Sequence, residues 1–280
     1  MKSERQHREE MVRIGRLIHE RGYVAATDGN LSVRLEHDAI LSTPTSISKG
    51  MMEPEDMVVV DLQGRKVTGR RNASSEIAMH ILIYRLRPDV KGIVHAHPPT
   101  ATGYAAAGMP LNQALISEIV LALGCIPIAR YGTPGTPELT EALEPLVPHY
   151  DAILMANHGV VTYGEDLLRA YMKMETVEHF ARIALVTHLL GRQQLLTQED
   201  VGKLMEARAK YEGITTAAAM APGCPVVAPD DSITGTAAPG PAPAQATAQA
   251  PASAPDRFSV TREELAGIVE DALRHGKRRW

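Results

Sequence analysis

Near Gly213 the 280-residue chain changes character, and that break limits what each part can fold into. Ile214 to Pro255 is dominated by Ala, Pro, Gly, Thr and Gln, with almost no charge. Such a segment cannot bury enough apolar surface to offset its ordering entropy, and its repeated prolines oppose a helix, so residues 214–255 are expected to be a flexible linker. A folded domain is expected over residues 1–213, where apolar periodicity and turn signals alternate as in a mixed α/β protein.

The composition excludes several classes. No apolar run approaches the roughly 20 residues of a membrane-spanning helix, and the charged N-terminus lacks the short apolar segment of a secretion signal. A net charge of −4 and 4% aromatic residues give no platform for nucleic acid. Arg65-Lys66, Arg70-Arg71 and Lys277-Arg278-Arg279 read as solvated surface. Cys125 and Cys224 are too few for a disulfide framework, so a cytoplasmic protein with reduced thiols is expected.

Beyond the linker, Thr261 and Glu264 have capping-box spacing, Val260 and Leu265 sit as a hydrophobic staple, and Gly276 marks a stop. Leu265, Ile268, Val269, Ala272 and Leu273 form one helical stripe within residues 256–280. A helix this short is marginal alone, so the stripe needs a partner, on this chain's own domain or elsewhere.

Within the main domain, Met11, Ile14, Leu17 and Ile18 predict an amphipathic helix ending at Gly22. Leu31–Leu35, Met57–Leu62, Gly92–His97 and Ala152–Ala156 read as strands; Ser75–Arg87 and Leu167–Gly191 read as helices.

His95-Ala96-His97 carries the most chemistry. On a strand, residues i and i+2 share a face, so the two imidazoles can converge on one metal ion, or equally stand as neutral hydrogen-bonded histidines at a strand end. His158, between an apolar run and Gly159, is available as a third ligand. Three histidines would leave zinc a fourth position, the arrangement of a catalytic site. Ser74-Ser75-Glu76 opens a helix, where hydroxyls and first-turn N–H groups suit an anion, though an ordinary acidic N-terminus reads the same way. Thr27-Asp28-Gly29-Asn30 and Thr43-Pro44-Thr45-Ser46 are turn-like segments that could add donors around one phosphate. No dinucleotide glycine motif, P-loop or nucleophile elbow is present in the sequence.

Taken in order, Gly29-Asn30, Thr45-Ser46, Ser74-Ser75-Glu76, His95-Ala96-His97 and Asn157-His158-Gly159 resemble the class II aldolase and adducin-head family, in particular its L-fuculose-1-phosphate aldolases. The resemblance spans roughly Met1 to Gly213. It implies an α/β/α sandwich around a mostly antiparallel sheet, assembled as a homotetramer with sites at subunit interfaces. It also implies one zinc ion on His95, His97 and His158, with Glu76 as a displaceable ligand and general acid/base. Gly29, Asn30, Thr45, Ser46, Ser74 and Ser75 would bind the substrate phosphate. The implied reaction cleaves a ketose 1-phosphate to dihydroxyacetone phosphate and an aldehyde, L-lactaldehyde when fuculose 1-phosphate is the substrate. Zinc would act as Lewis acid toward the substrate's C2 and C3 oxygens.

One departure stands out. Where these aldolases place a tyrosine from the neighbouring subunit to handle the C4 hydroxyl proton, this chain has Ala114-Leu115-Ile116-Ser117-Glu118. Glu118 and Tyr131 are the titratable substitutes, and Tyr211 resembles a tyrosine that closes the family's site. A ribulose-phosphate 4-epimerase, a methylthioribulose-phosphate dehydratase and a non-catalytic adducin-like interaction module are the alternatives. The tail resembles the encapsulation peptides of bacterial microcompartment cargo, so a shell protein is an expected partner of residues 256–280.

Overall fold

Strand β1 (Asn30–Arg34) shows how one sheet acquires two different faces. Leu31 and Val33 enter one apolar cluster, while the alternate residues Asn30, Ser32 and Arg34 turn to the opposite face. The same alternation runs through β5 (Gly92–Ala96), where Val94 and Ala96 belong to the first cluster and Ile93 to the second. The other strands are β2 (Ile40–Ser42), β3 (Val58–Val60), β4 (Lys66–Thr68), β6 (Ile128–Ala129), β7 (Ala152–Met155) and β8 (Gly159–Gly164). They form one sheet in the order β4-β3-β2-β1-β5-β8-β7-β6, antiparallel throughout except for the parallel pair β6–β7.

Helices cover both faces. On the first lie α1 (Glu4–Glu20), α3 (Pro99–Ala106), α4 (Ser117–Ala122), α6 (Leu167–Leu189) and α7 (Gln198–Arg208), contributing Met11, Ile14, Ala101, Ile119, Met174, Phe180 and Val201 to the core. On the second lie α2 (Ile77–Leu86) and α5 (Pro137–Leu143), which bring Met79, Ile83, Leu139 and Leu143 against Ile93, Ile153 and Val161. This is the expected α/β/α sandwich. Burying each of these large side chains is worth roughly 1.5–3 kcal/mol.

The computed structural model describes residues 2–208. The chain divides into the units Met1–Asp231 and Ser232–Trp280, and all that follows concerns the first. The expected linker, the expected terminal helix and Tyr211 lie outside the described residues. Among the described residues no helix is long and apolar enough to cross a membrane. Cys125 is buried, and Cys224 lies outside the described residues.

Local chemistry sets the helix ends that matter. Helix α1 begins at a capping box, in which Ser3 Oγ accepts from the Gln6 N–H and the Gln6 side chain accepts from the Ser3 N–H. It ends before Gly22, whose φ is +69°. Helix α2 starts later than its sequence pattern implies. Ser74 and Ser75 precede it, Glu76 occupies the N-cap position, and the Glu76 N–H donates to Ser74 Oγ.

Candidate active site

Antiparallel pairing places Asn30 opposite His95 and Ala96 opposite Val160, so the start of β1, the end of β5 and the start of β8 meet at one end of the sheet's central strands. His95 is the penultimate residue of β5; His97 follows the strand, where Pro98 and Pro99 end it. His158 sits in the turn between β7 and β8, after Asn157 at φ +56°, a left-handed conformation that asparagine tolerates. One ligand atom from each of the three histidines lies within 4.8 Å of the others. The rings stand edge to face with centroids 5.0, 4.8 and 5.2 Å apart.

Glu76 closes the group from the start of α2. Its Oε2 is 3.3 Å from His95 Nε2 and its Oε1 is 3.2 Å from His158 Nε2, while His97 Nε2 is 3.2 Å from His95 Nε2. Burial opposes ionisation of this carboxyl, but His95 and His158 outweigh it and hold Glu76 well below the usual carboxylate range. Burial lowers His97, and the neighbouring His95 and His158 lower it further, to about 4.

The donor set fits a zinc-type ion. His95 Nδ1 donates to the Val160 carbonyl at 2.9 Å, which fixes the tautomer and turns the Nε2 lone pair inward. His95 Nε2 and His97 Nε2 stand 3.2 Å apart, a spacing that a cation between two bare nitrogens would also satisfy. That separation is close to the ~3.3–3.4 Å edge of a tetrahedron with bonds of about 2.0–2.1 Å. Glu76 Oε1 is buried without a hydrogen bond of ordinary geometry, an acceptor that a bound cation would satisfy. His97 Nδ1 has Asp28 Oδ2 at 3.5 Å behind it.

The expected phosphate segments also converge. Pro44 bridges Ala73 in antiparallel sense, and the Thr45 N–H donates to the Asn72 carbonyl, so the two segments are joined at Pro44–Ala73 with Thr45 opposite Asn72. Gly29 has φ +71°, and a Cβ there would stand 2.8 Å from the His95 carbonyl oxygen, so only glycine lets this loop approach β5. Lys49 donates to the Thr27 carbonyl at 2.9 Å and the Ile47 carbonyl at 2.6 Å, tying the Gly29 loop to the Thr45 loop. Burial pushes this amine down to about 8, with Asp28 acting in the opposite sense.

Two expectations need adjustment. The Glu76 and Ile77 N–H groups already donate to Ser74 Oγ and the Ser74 carbonyl, so these first-turn donors are spent internally. The Asn30 side chain donates to Glu76 Oε2 at 2.8 Å, which engages it with the acid/base residue. Glu118 is exposed on α4 and accepts from Ser117 Oγ; Tyr131 is 53% exposed after β6. Among the described residues neither makes a hydrogen bond or ion pair with the histidine cluster. The sequence marks Asp28 only as part of a turn-like segment, and it does not mark Lys49 or His80 as site residues. An isolated lysine in a polar loop, an aspartate in a turn and a histidine in an apolar helical run carry no spacing signal.

Residues 9–185 match the family described as Class II Aldolase and Adducin N-terminal domain. The chain belongs to this family. A 3-oxo-tetronate 4-phosphate decarboxylase of Pectobacterium atrosepticum is 34% identical over 210 residues, covering 73% of this chain and 94% of that protein. A 5-deoxy-D-ribulose 1-phosphate aldolase of Bacillus thuringiensis serovar kurstaki is 32% identical over 207 residues, covering 74% and 95%. A solved structure of an L-fuculose 1-phosphate aldolase superposes with a TM-score of 0.68 at 33% identity, covering 73% of this chain and 96% of that one. These class II aldolase-family relatives are named as enzymes.

Proposed function

We propose that this protein is a zinc-dependent lyase that releases dihydroxyacetone phosphate from a phosphorylated keto sugar, with L-fuculose 1-phosphate as the first substrate to test. The observation that carries the reading is the Glu76 carboxylate wedged between His95 and His158 beside the third histidine. Zinc, when bound by His95, His97 and His158, supplies Lewis acidity toward the substrate's ketone and adjacent hydroxyl oxygens. The Ser74-Ser75 and Thr45-Ser46 hydroxyls, on two segments joined at the Pro44–Ala73 bridge, are the donors offered to the phosphate. The buried Lys49 amine beneath the same loops offsets its charge.

In aldol cleavage the C3–C4 bond breaks with its electron pair left on C3, the C4 hydroxyl proton departs as the aldehyde forms, and a proton is delivered to C3. Glu76 is placed for that delivery. As a carboxylate beside the metal ligands, it can take up a proton and pass it to C3. A second reading, decarboxylation of a 3-oxo acid phosphate, leaves the same enediolate but releases carbon dioxide. It needs no group for a C4 hydroxyl proton.

The test is product release from L-fuculose 1-phosphate, 5-deoxy-D-ribulose 1-phosphate and 3-oxo-tetronate 4-phosphate by protein stripped of metal and then reloaded. Zinc-restored dihydroxyacetone phosphate from any of the three supports the reading and ranks the leaving groups. No product from all three, with zinc bound, favours the epimerase or dehydratase branch. We also propose a homotetramer, in which Glu118 or Tyr131 of one subunit could serve its neighbour; a monomer in sedimentation would contradict it. Finally, we propose that residues 256–280 dock on a microcompartment shell. A fluorescent fusion of the full chain that ignores co-expressed shells would end that idea.

A further inference from the structure

On the opposite side of Glu76 from the histidines, a chain of hydrogen bonds runs into the protein between β1 and α2. Glu76 Oε2 accepts from Asn30 Nδ2 at 2.8 Å. Asn30 Oδ1 meets His80 Nε2, His80 Nδ1 is 2.6 Å from Ser32 Oγ, and Ser32 Oγ is 2.9 Å from Tyr84 Oη. Asn30, Ser32, His80 and Tyr84 are all at most 3% exposed. The alternation of β1 supplies Asn30 and Ser32, and the i, i+4 spacing of α2 supplies His80 and Tyr84, so the ladder is built by two elements with matching rungs.

The direction of every bond can be assigned. A carboxylate only accepts, so the amide nitrogen of Asn30 faces Glu76 and its oxygen faces His80. His80 Nε2 must therefore carry the hydrogen. Burial and the proximity of His95 push His80 down to about 3, so the ring is neutral and Nδ1 is an acceptor. Ser32 spends its single hydrogen on Nδ1 and accepts from Tyr84. All four donors thus point the same way, from Tyr84 toward Glu76, and aligned bonds in a dry interior reinforce one another.

We propose that His80 is a positioning residue which, through the Asn30 amide, fixes the orientation of the Glu76 carboxylate for proton delivery to carbon. The inference rests on the reading of Glu76 as acid/base group. Without the His80 N–H, the Asn30 amide is free to turn over and set its oxygen against a carboxylate oxygen. Glu76 Oε2 then loses the Asn30 N–H that orients it beside His95.

The test uses the zinc-loaded full chain in D2O and follows deuterium entry at C3 of dihydroxyacetone phosphate, which isolates the proton step from the identity of the leaving group. His80→Leu is expected to slow exchange by at least about tenfold, with zinc content and KM unchanged. His80→Gln, which keeps a donor toward Asn30 and an acceptor toward Ser32, is expected to restore most of the rate. Leucine exchanging at the wild-type rate, or losing rate only in step with zinc, overturns the proposal. If wild type does not exchange, or if the leucine variant fails to fold, 15N spectra of histidine-labelled wild type decide it, with His80 identified by its absence from His80→Gln. A neutral Nε2–H tautomer supports the chain; an Nδ1–H tautomer overturns it. The absence of exchange by wild type separately sinks the dihydroxyacetone phosphate reading.

Discussion

Substituting Gly159 by alanine should damage the metal site more than the fold. Gly159 opens β8, and an added methyl would stand 2.5 Å from His97 Cδ2 and 2.7 Å from the Ala96 carbonyl oxygen. The strand itself has little freedom, because β8 is paired to β5 at Ala96–Val160 and to β7 at Met155–Gly159. The part that can yield is the His97 ring, which is anchored behind only by Asp28 at 3.5 Å. Recovering ordinary contact at about 3.4 Å from 2.5 Å means a shift of about 0.9 Å. Zinc sites tolerate about 0.2 Å in ligand distance, so a shift of that size removes His97 from the ligand set. Zinc affinity should fall by about 100-fold or more, read by competition with a chromogenic chelator. The metal-free variant should lose about 1–3 kcal/mol in urea unfolding from overpacking. Wild-type zinc affinity in Gly159→Ala would refute the placement of His97 as a ligand.

Three further outcomes follow from the same geometry. Glu76→Gln should keep zinc on the three histidines but lower kcat by about 10²–10⁴-fold, because a carboxamide is too weak an acid and too weak a base to relay a proton to carbon; unchanged turnover would remove Glu76 from the chemistry. Lys49 sits at about 8 in the folded chain against 10.5 ordinarily, so between those values the unfolded chain binds the extra proton and stability rises with pH. Wild type should therefore gain on the order of 1–3 kcal/mol relative to Lys49→Met between pH 7.5 and 10.5, and parallel urea-unfolding curves would show that Lys49 is not desolvated. Stripping the metal should lower the melting temperature, with readdition at 1,000 times Kd restoring about 4 kcal/mol; a melting point indifferent to chelator would argue against a folded-state site.

The sheet and most of its helices are legible in the sequence because period and punctuation agree, as in Leu31 to Leu35 and in the α6 pattern ending at Gly191. Short strands were legible where turn residues frame them, as at Lys66–Thr68 after Gly64, but other short elements were not. Strand β6 has two residues, and α4, α5 and α7 draw their burial from tertiary packing rather than from a strong stripe. At the site, His95 and His97 announce themselves through strand spacing, and His158 through the glycine beside it. The supporting residues could not do so. His80 belongs to an apolar helical run, and its role depends on Asn30 and Ser32, about 50 residues earlier in the chain. Lys49 acquires meaning only when two loops fold over it.

The central claim is that His95, His97, His158 and Glu76 together hold one divalent metal ion. X-ray absorption at the zinc edge of the reconstituted full chain tests it directly. The account predicts one zinc per chain with three imidazole nitrogens at about 2.0–2.1 Å and oxygen completing the shell, and loss of the imidazole signature in His95→Asn. A shell containing sulfur at about 2.3 Å, an all-oxygen shell, or a chain that retains no zinc would contradict it.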